Sequence, residues 1–130
     1  MLILTIRTDK PEAEIGLYDD QEQLIYQTWE AHRELAETIN TKIIDVLQAA
    51  DKRLHELQGV LVFKGPGSFT GLRIGISVAN ALAYSLAIPI ASQAGDDWLP
   101  AGITRLQNGQ NETVALPEYG APVHITKPKK

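Results

Sequence analysis

The sequence predicts an α/β domain with a mixed sheet, in the order β-β-β-α-β-α-β, covered by two helices. Three observations carry this. Short runs of β-forming residues follow one another over the first thirty positions. The apolar spacing then switches from strand-like to helical. Last, two short apolar runs flank a long apolar helix, a strand–helix–strand unit whose two strands must be parallel.

The elements follow in order. "LILTIRT" (2–8) opens with a continuous apolar run, as a buried strand does. "AEIGLYD" (13–19) and "QLIYQTW" (23–29) are two further strands, and the "DD" at 19–20 turns one into the other as a hairpin. From 33 to 51, Leu35, Ala36, Ile39, Ile43, Val46, Leu47 and Ala50 recur at helical spacing, with Glu34, Glu37, Lys42, Asp45 and Gln48 on the other faces. "GVLVFK" (59–64) is a buried strand, and a helix runs from about 69 to 87. Pro89 cannot continue that helix, so "IPIA" (88–91) is the last core strand. Beyond residue 92, "GDDWLPAGITRLQNG" reads either as a short helix containing Pro100 or as a hairpin turned by the Asn-Gly pair at 108–109. "LPEYGAPVHITKPKK", with three prolines, is expected to be extended.

Length and composition suit one globular domain: 130 residues, 44% hydrophobic and 22% charged. With no cysteine there is no disulfide framework, thiolate nucleophile or cysteine–zinc site. A net charge of −4 argues against a broad nucleic-acid-binding face, and the basic ending "HITKPKK" is a local exception. The N-terminus lacks the basic region of a signal peptide. Residues 74–90 contain Asn80 and end near Pro89, short of a transmembrane span. A soluble, cytoplasmic protein with no membrane contact is expected.

The most informative stretch is "GPGSFTGLRIG" (65–75), between the buried strand and the apolar helix. A strand, a glycine-rich loop and a helix N-terminus make the geometry of many phosphate sites. The familiar versions are not met: no lysine follows the second glycine as in a P-loop, and Thr70 stands where a dinucleotide fingerprint needs its third glycine. A sharp elbow explains more residues. Gly67 takes positive φ, Ser68 or Thr70 caps the helix, and Gly71, Gly75, Ala79, Ala83 and Ala87 recur every four residues as a face of small side chains. Leu72, Ile76 and Leu86 make a second face, Ile74, Val78 and Leu82 a third, and Thr70, Arg73, Ser77, Asn80 and Tyr84 a narrow polar stripe. A helix apolar on most sides is buried on most sides, against its own core or against another protein. Other chemistry is thin. His32, His55 and His124 lack ligand spacing, and the acidic pairs at 19–20 and 96–97 read as turns or solvated faces, so neither a metal nor a cofactor is implied.

On this same stretch the sequence resembles the TsaB (YeaZ) family of bacterial tRNA threonylcarbamoyladenosine biosynthesis proteins. Gly65, Pro66, Gly67, Ser68, Phe69, Thr70, Gly71 and Arg73 carry the signature. "HRELAETINTKIIDVL", the block from "GVLVFK" to "IPIAS", and the ending "YGAPVHITKPKK" extend the resemblance. It implies one lobe of a ribonuclease-H-like, actin-like fold over residues 1–92. A short helix or hairpin and an extended tail would occupy 93–130, and the family's second lobe would be missing. It also implies a non-catalytic subunit that pairs with a TsaD-like catalytic paralogue, alongside a TsaE-like ATPase. That assembly transfers threonylcarbamoyl from its adenylate to an adenosine beside the tRNA anticodon. In the family the two N-terminal helices of each partner pack as a four-helix bundle. The resemblance therefore places Gly71, Gly75, Ala79 and Ala83 within an interface, with Arg73 and Tyr84 near it, and a homodimer through the same helices is expected without the partner. Two departures weaken an ATP site and a catalytic role. Arg7 replaces the usual strand aspartate, and "IASQAGDDWL" lacks the His-x3-His motif of the catalytic paralogue. Direct tRNA contact is left open. The competing functions are a minimal actin-like nucleotide-binding or hydrolytic domain, with Asp9 as its only nearby carboxylate, and a self-associating structural module.

Overall fold

The computed structural model describes residues 1–67 and 69–118, with the side chain of Phe69 excepted. Strands β1 (Leu2–Arg7), β2 (Glu12–Asp19), β3 (Glu22–Glu30), β4 (Gly59–Phe63) and β5 (Ile90–Gln93) form a five-stranded sheet in the order β3-β2-β1-β4-β5. β1, β2 and β3 pair antiparallel, whereas β1–β4 and β4–β5 are parallel. This is the predicted mixed sheet, including the parallel pair around the second helix. Asp20 makes the β2–β3 turn at φ 53, a conformation aspartate tolerates better than most residues.

Helices α1 (Leu35–Ala49) and α2 (Phe69–Leu86) lie on one face of the sheet. Alternation decides which residues meet them. Leu4 and Ile6 of β1, Ile15 and Leu17 of β2, and Val60 and Val62 of β4 join Ile39, Ile43, Ile76 and Ala79 in one apolar cluster. The buried stripe of α1 is Leu35, Ile39, Ile43, Val46 and Leu47, as its spacing predicts. All five residues of β4 are buried, because both of its faces are covered.

The cover on the second face corrects the two-helix expectation. A third helix, α3 (Trp98–Gln107), sets Trp98, Ile103 and Leu106 on Ile3, Leu61, Phe63 and Ala91. Pro100 is tolerated because it falls in the first turn, where backbone N–H groups have no intrahelical acceptor. The Asn-Gly pair makes no hairpin. Gly109 (φ 84) donates to Leu106 O and Gln110 donates to Arg105 O, both at 3.0 Å, the paired bonds of a left-handed helix cap. The same cap ends α2 without a glycine: Ala87 sits at φ 56, and Ile88 donates to Ala83 O at 3.0 Å. That cap delays the last strand to Ile90, two residues later than predicted.

Residues 110–118 then run back along the outer edge of β5. Ile90 N–H donates to Asn111 Oδ1 (3.0 Å) and Ser92 N–H to Glu112 Oε2 (2.6 Å), while Glu112 N–H donates to Ile90 O (2.8 Å). Two side chains thus serve as the acceptors that a sixth strand would supply. Asn80 of α2 bonds both backbone groups of Ala115. Ser68 and the tail from 119, with its basic ending, lie outside the described residues.

Candidate functional site

The glycine-rich loop docks on the end of β1. Positive φ falls at Gly65 (φ 117), not at Gly67 as expected. Gly67 is required for a different reason. A Cβ there would lie 2.4 Å from Asp9 Cβ, so only glycine lets the loop rest on Asp9. Asp9 in turn accepts from Arg7 through Nε (2.8 Å) and Nη2 (3.2 Å), a bidentate pair in which the carboxylate is 8% exposed. The hydrogen bonds it donates to Asp9 raise the pKa of the Arg7 guanidinium above its ordinary value. The guanidinium also stacks 3.9 Å over the Phe63 ring. The carboxylate on which the loop rests is therefore held by Arg7. Among the described residues, no group of three or more His, Asp or Glu is placed to hold a metal ion.

Thr8 locks the first turns of α2. Its buried hydroxyl donates to Gly71 O at 2.7 Å. A Cβ on Gly75 would lie 2.1 Å from the same Oγ1. Ala79 and Ala83, one and two turns on, are 0% and 3% exposed in the helix–sheet core. The predicted interface stripe is thus turned inward. Gly75, Ala79 and Ala83 are small because the strands lie directly beneath them, and Gly71 is half-buried over Thr8. Arg73 and Tyr84, the other two predicted interface residues, do face out, Tyr84 at 90% exposure.

The outward side of α2 carries a second row at four-residue spacing: Arg73 at its head, then the small residues Ser77, Ala81 and Ser85, all exposed. The sequence places Arg73 and Ser77 on the polar stripe without joining them to Ala81 and Ser85. This row lies two positions from the inward row, so the periodic signal was present twice. What tells the two apart is the sheet: Gly75 lies over Thr8, and Ala79 and Ala83 are buried in the core. Between this row and α1 runs a groove along most of α2. Its central part, 330 Å³, is lined by Ala36, Thr70, Arg73, Ile74, Ser77 and Val78. Toward the C-terminal end of α2 it continues over 410 Å³ past Asn40, Ala81, Leu82 and Ser85. Toward the N-terminal end it opens into 450 Å³ bounded by Thr8, Lys10, His32 and Arg33. The floor is apolar, and along Ala36, Ser77, Ala81 and Ser85 the walls are small, so a helix laid there would meet little side-chain volume. Beyond the C-terminal end, Tyr84 stands beside the returning segment, whose Val114 and Leu116 are 57% and 69% exposed. Lys10, Arg33 and Ala81 were not among the predicted site residues.

A sequence profile of the family described as "TsaD: tRNA N6-adenosine threonylcarbamoyltransferase" matches residues 29–92, from the end of β3 through β5. The threonylcarbamoyltransferase of Geotalea uraniireducens is 48% identical over 61 residues, 47% of this chain and 18% of that protein. A longer match discriminates. The tRNA threonylcarbamoyladenosine biosynthesis protein TsaB of Escherichia coli K12 is 32% identical over 117 residues, 82% of this chain and 48% of that one. The chain belongs to the TsaB (YeaZ) family. YeaZ from Pseudomonas aeruginosa has the same fold, with a TM-score of 0.67 at 25% identity over 72% of this chain and 43% of that one. The TsaB fold is ribonuclease-H-like and actin-like, as the resemblance implied. The chain spans about half the length of its TsaB relative from E. coli, and less than a fifth of the Geotalea enzyme. Among the described residues no helix is long and apolar enough to cross a membrane.

Proposed function

We propose that this chain is a non-catalytic subunit of the assembly that makes threonylcarbamoyladenosine in tRNA, and that it docks a TsaD-like catalytic partner through the α1–α2 groove. The observation that carries the proposal is the outward face of α2. It is a row of small side chains over an apolar floor, open along its length and framed by a second helix. Such a surface accepts a helix, because small residues let backbones approach closely and an apolar groove anchors an amphipathic partner. The lock at the glycine loop supports the non-catalytic part. Asp9 is paired bidentately with Arg7 and packed under Gly67, which withdraws it from service as a base or a metal ligand. Threonylcarbamoyl transfer then belongs to the partner, with a TsaE-like ATPase acting on the same assembly in the cytoplasm. The contribution of this chain is to hold the partner in a productive state.

The test is reconstitution. A TsaD-like enzyme from the same organism, with its ATPase, tRNA and threonylcarbamoyl-adenylate, is assayed by nucleoside analysis with and without this chain. Modification that depends on the chain, together with no ATP hydrolysis by the chain alone, is the expected result. Turnover of ATP by the isolated chain, lost on Gly67→Ala, would overturn the non-catalytic reading. Full modification without the chain would overturn the subunit reading.

A further inference from the structure

Residues 110–118 do more than pass along the sheet edge, because their anchors lie on different elements. At the β5 edge Glu112 accepts from Ser92 N–H (2.6 Å), from the Ser92 hydroxyl (2.7 Å) and from Arg105 (2.9 Å), while Asn111 accepts from Ile90 N–H (3.0 Å). On α2, Asn80 donates to Ala115 O (3.0 Å) and accepts from Ala115 N–H (2.8 Å). At the glycine loop, Glu118 N–H donates to Lys64 O (2.7 Å), and a Cβ on Gly65 would overlap Glu118 O. Apolar burial adds little: Ala115 is buried, but Val114 and Leu116 are exposed. Between the β5 anchor and the α2 anchor the backbone is strained. Val114 N–H donates to Glu112 O (2.7 Å) across Thr113, whose φ is 69. A three-residue turn with its central residue at positive φ is the rare, strained form, and a β-branched side chain adds to the cost.

We propose that residues 110–118 are a sprung strap: a single two-state element that opens as a unit, uncovering the β5 edge and releasing the glycine loop, with strain at Thr113 favouring the open form. The cooperativity follows from entropy. Freeing one anchor leaves the segment pinned by the others, so conformational freedom returns only when all are released. Opening strands no buried polar group, since the N–H groups of Ile90 and Ser92 then face water. The polar bonds that close the strap are exchanged for bonds to water, and their net worth is modest. A modest net cost, little apolar burial and stored strain mark an element that opens well below the global transition. The closed strap keeps an unpaired strand edge from meeting another chain, and the open strap exposes it. None of the anchors lines the α1–α2 groove, so the proposal stands apart from the docking reading.

The experiment follows amide hydrogen exchange in the full chain by NMR. The N–H groups of Ile90, Ser92, Glu112, Ala115 and Glu118 report the strap, because each is bonded across one of its anchors. In the natural chain all of them should share one opening constant, well above that of the buried amides of β1 and α1. Asn80→Ala should speed them all by about tenfold, Ile90 and Ser92 included, although Asn80 bonds neither. Thr113→Gly should slow them all by about threefold, because glycine takes positive φ without strain. The amides of β1 and α1 should keep their rates in both variants. Faster exchange at Ala115 alone in Asn80→Ala would sink the proposal, since the anchors would then be separate contacts. So would an equal rise in β1 and α1, which would make the segment part of the core. Exchange that is not slowed in Thr113→Gly would refute the spring. Should Asn80→Ala not fold, Glu112→Gln asks the same question from the opposite anchor: Ala115 and Glu118 must exchange faster together, and unchanged rates at both would contradict the strap.

Discussion

The inward and outward sides of α2 are built from similar residues for different neighbours. Inside, Gly75, Ala79 and Ala83 are small because β1 and β4 lie beneath them, and a Cβ at Gly75 would already overlap Thr8 Oγ1. Outside, Ser77 and Ala81 are equally small over an open groove with nothing above them in the described chain. The inward side is a packing constraint, and the outward side is the surface proposed to receive another helix. A small-residue row on a helix therefore carries no function until its neighbour is known. One buried hydroxyl is enough to assign it.

The comparison breaks most visibly at Ala83. Ala83→Arg puts a long charged side chain into the helix–sheet core, where an unpaired charge and its volume cost about 4 kcal/mol or more. The expected outcome is loss of the cooperative thermal transition. A folded variant with a normal melt would mean that this side of α2 is accessible after all. Gly75→Ala sharpens the same point with a single methyl. The Cβ must displace Thr8 or the helix, and overpacking of this size costs about 1–3 kcal/mol by urea denaturation. Thr8→Val keeps the shape and removes the bond to Gly71 O. It should cost about 1 kcal/mol or less, since the Gly71 carbonyl loses a second donor beside its bond within the helix. The end of α2 gives the opposite sign. Ala87 holds a left-handed conformation that glycine adopts without strain, so Ala87→Gly should raise stability by up to about 1 kcal/mol. A decrease would show that the cap is held by something other than its backbone geometry.

A smaller effect appears at high pH on the far face of the sheet. Burial raises the pKa of the Tyr26 hydroxyl above its ordinary value, and its bond to Glu14 raises it further. The unfolded tyrosine loses its proton first, so above about pH 10 the folded state binds more protons and stability falls as pH rises. Tyr26→Phe should remove that alkaline slope. Melting temperatures measured from pH 8 to 11 decide it.

Much of this was legible in the sequence. The order of elements along the chain, the hairpin at Asp20 and the buried stripe of α1 follow from period and turn chemistry alone. So does the parallel β4–β5 pair. What escaped has physical reasons. The helix α3 was ambiguous because Pro100 and Asn108–Gly109 serve a hairpin or a capped helix equally well. Tertiary burial of Trp98, Ile103 and Leu106 made the choice. The direction of the small-residue row was invisible because the sequence gives spacing without phase. The Arg7–Asp9 lock was hidden for a related reason: Asp9 lies in the bend just beyond β1, and a bidentate pair packed under Gly67 needs the loop's path. The basic end of the groove comes from three separated elements, and no local pattern joins Lys10, Arg33 and Arg73.

The most direct measurement concerns Ala81, which is exposed on the outward side two residues from buried Ala83. Ala81→Arg is titrated calorimetrically against the TsaD-like partner, with the variant's thermal melt recorded in parallel. A stability change within about 0.5 kcal/mol is expected, as for an exposed surface position. The partner affinity should fall by about a hundredfold, because the new side chain fills the groove. Unchanged affinity with an unchanged melt would contradict the account and leave the outward side of α2 without a partner.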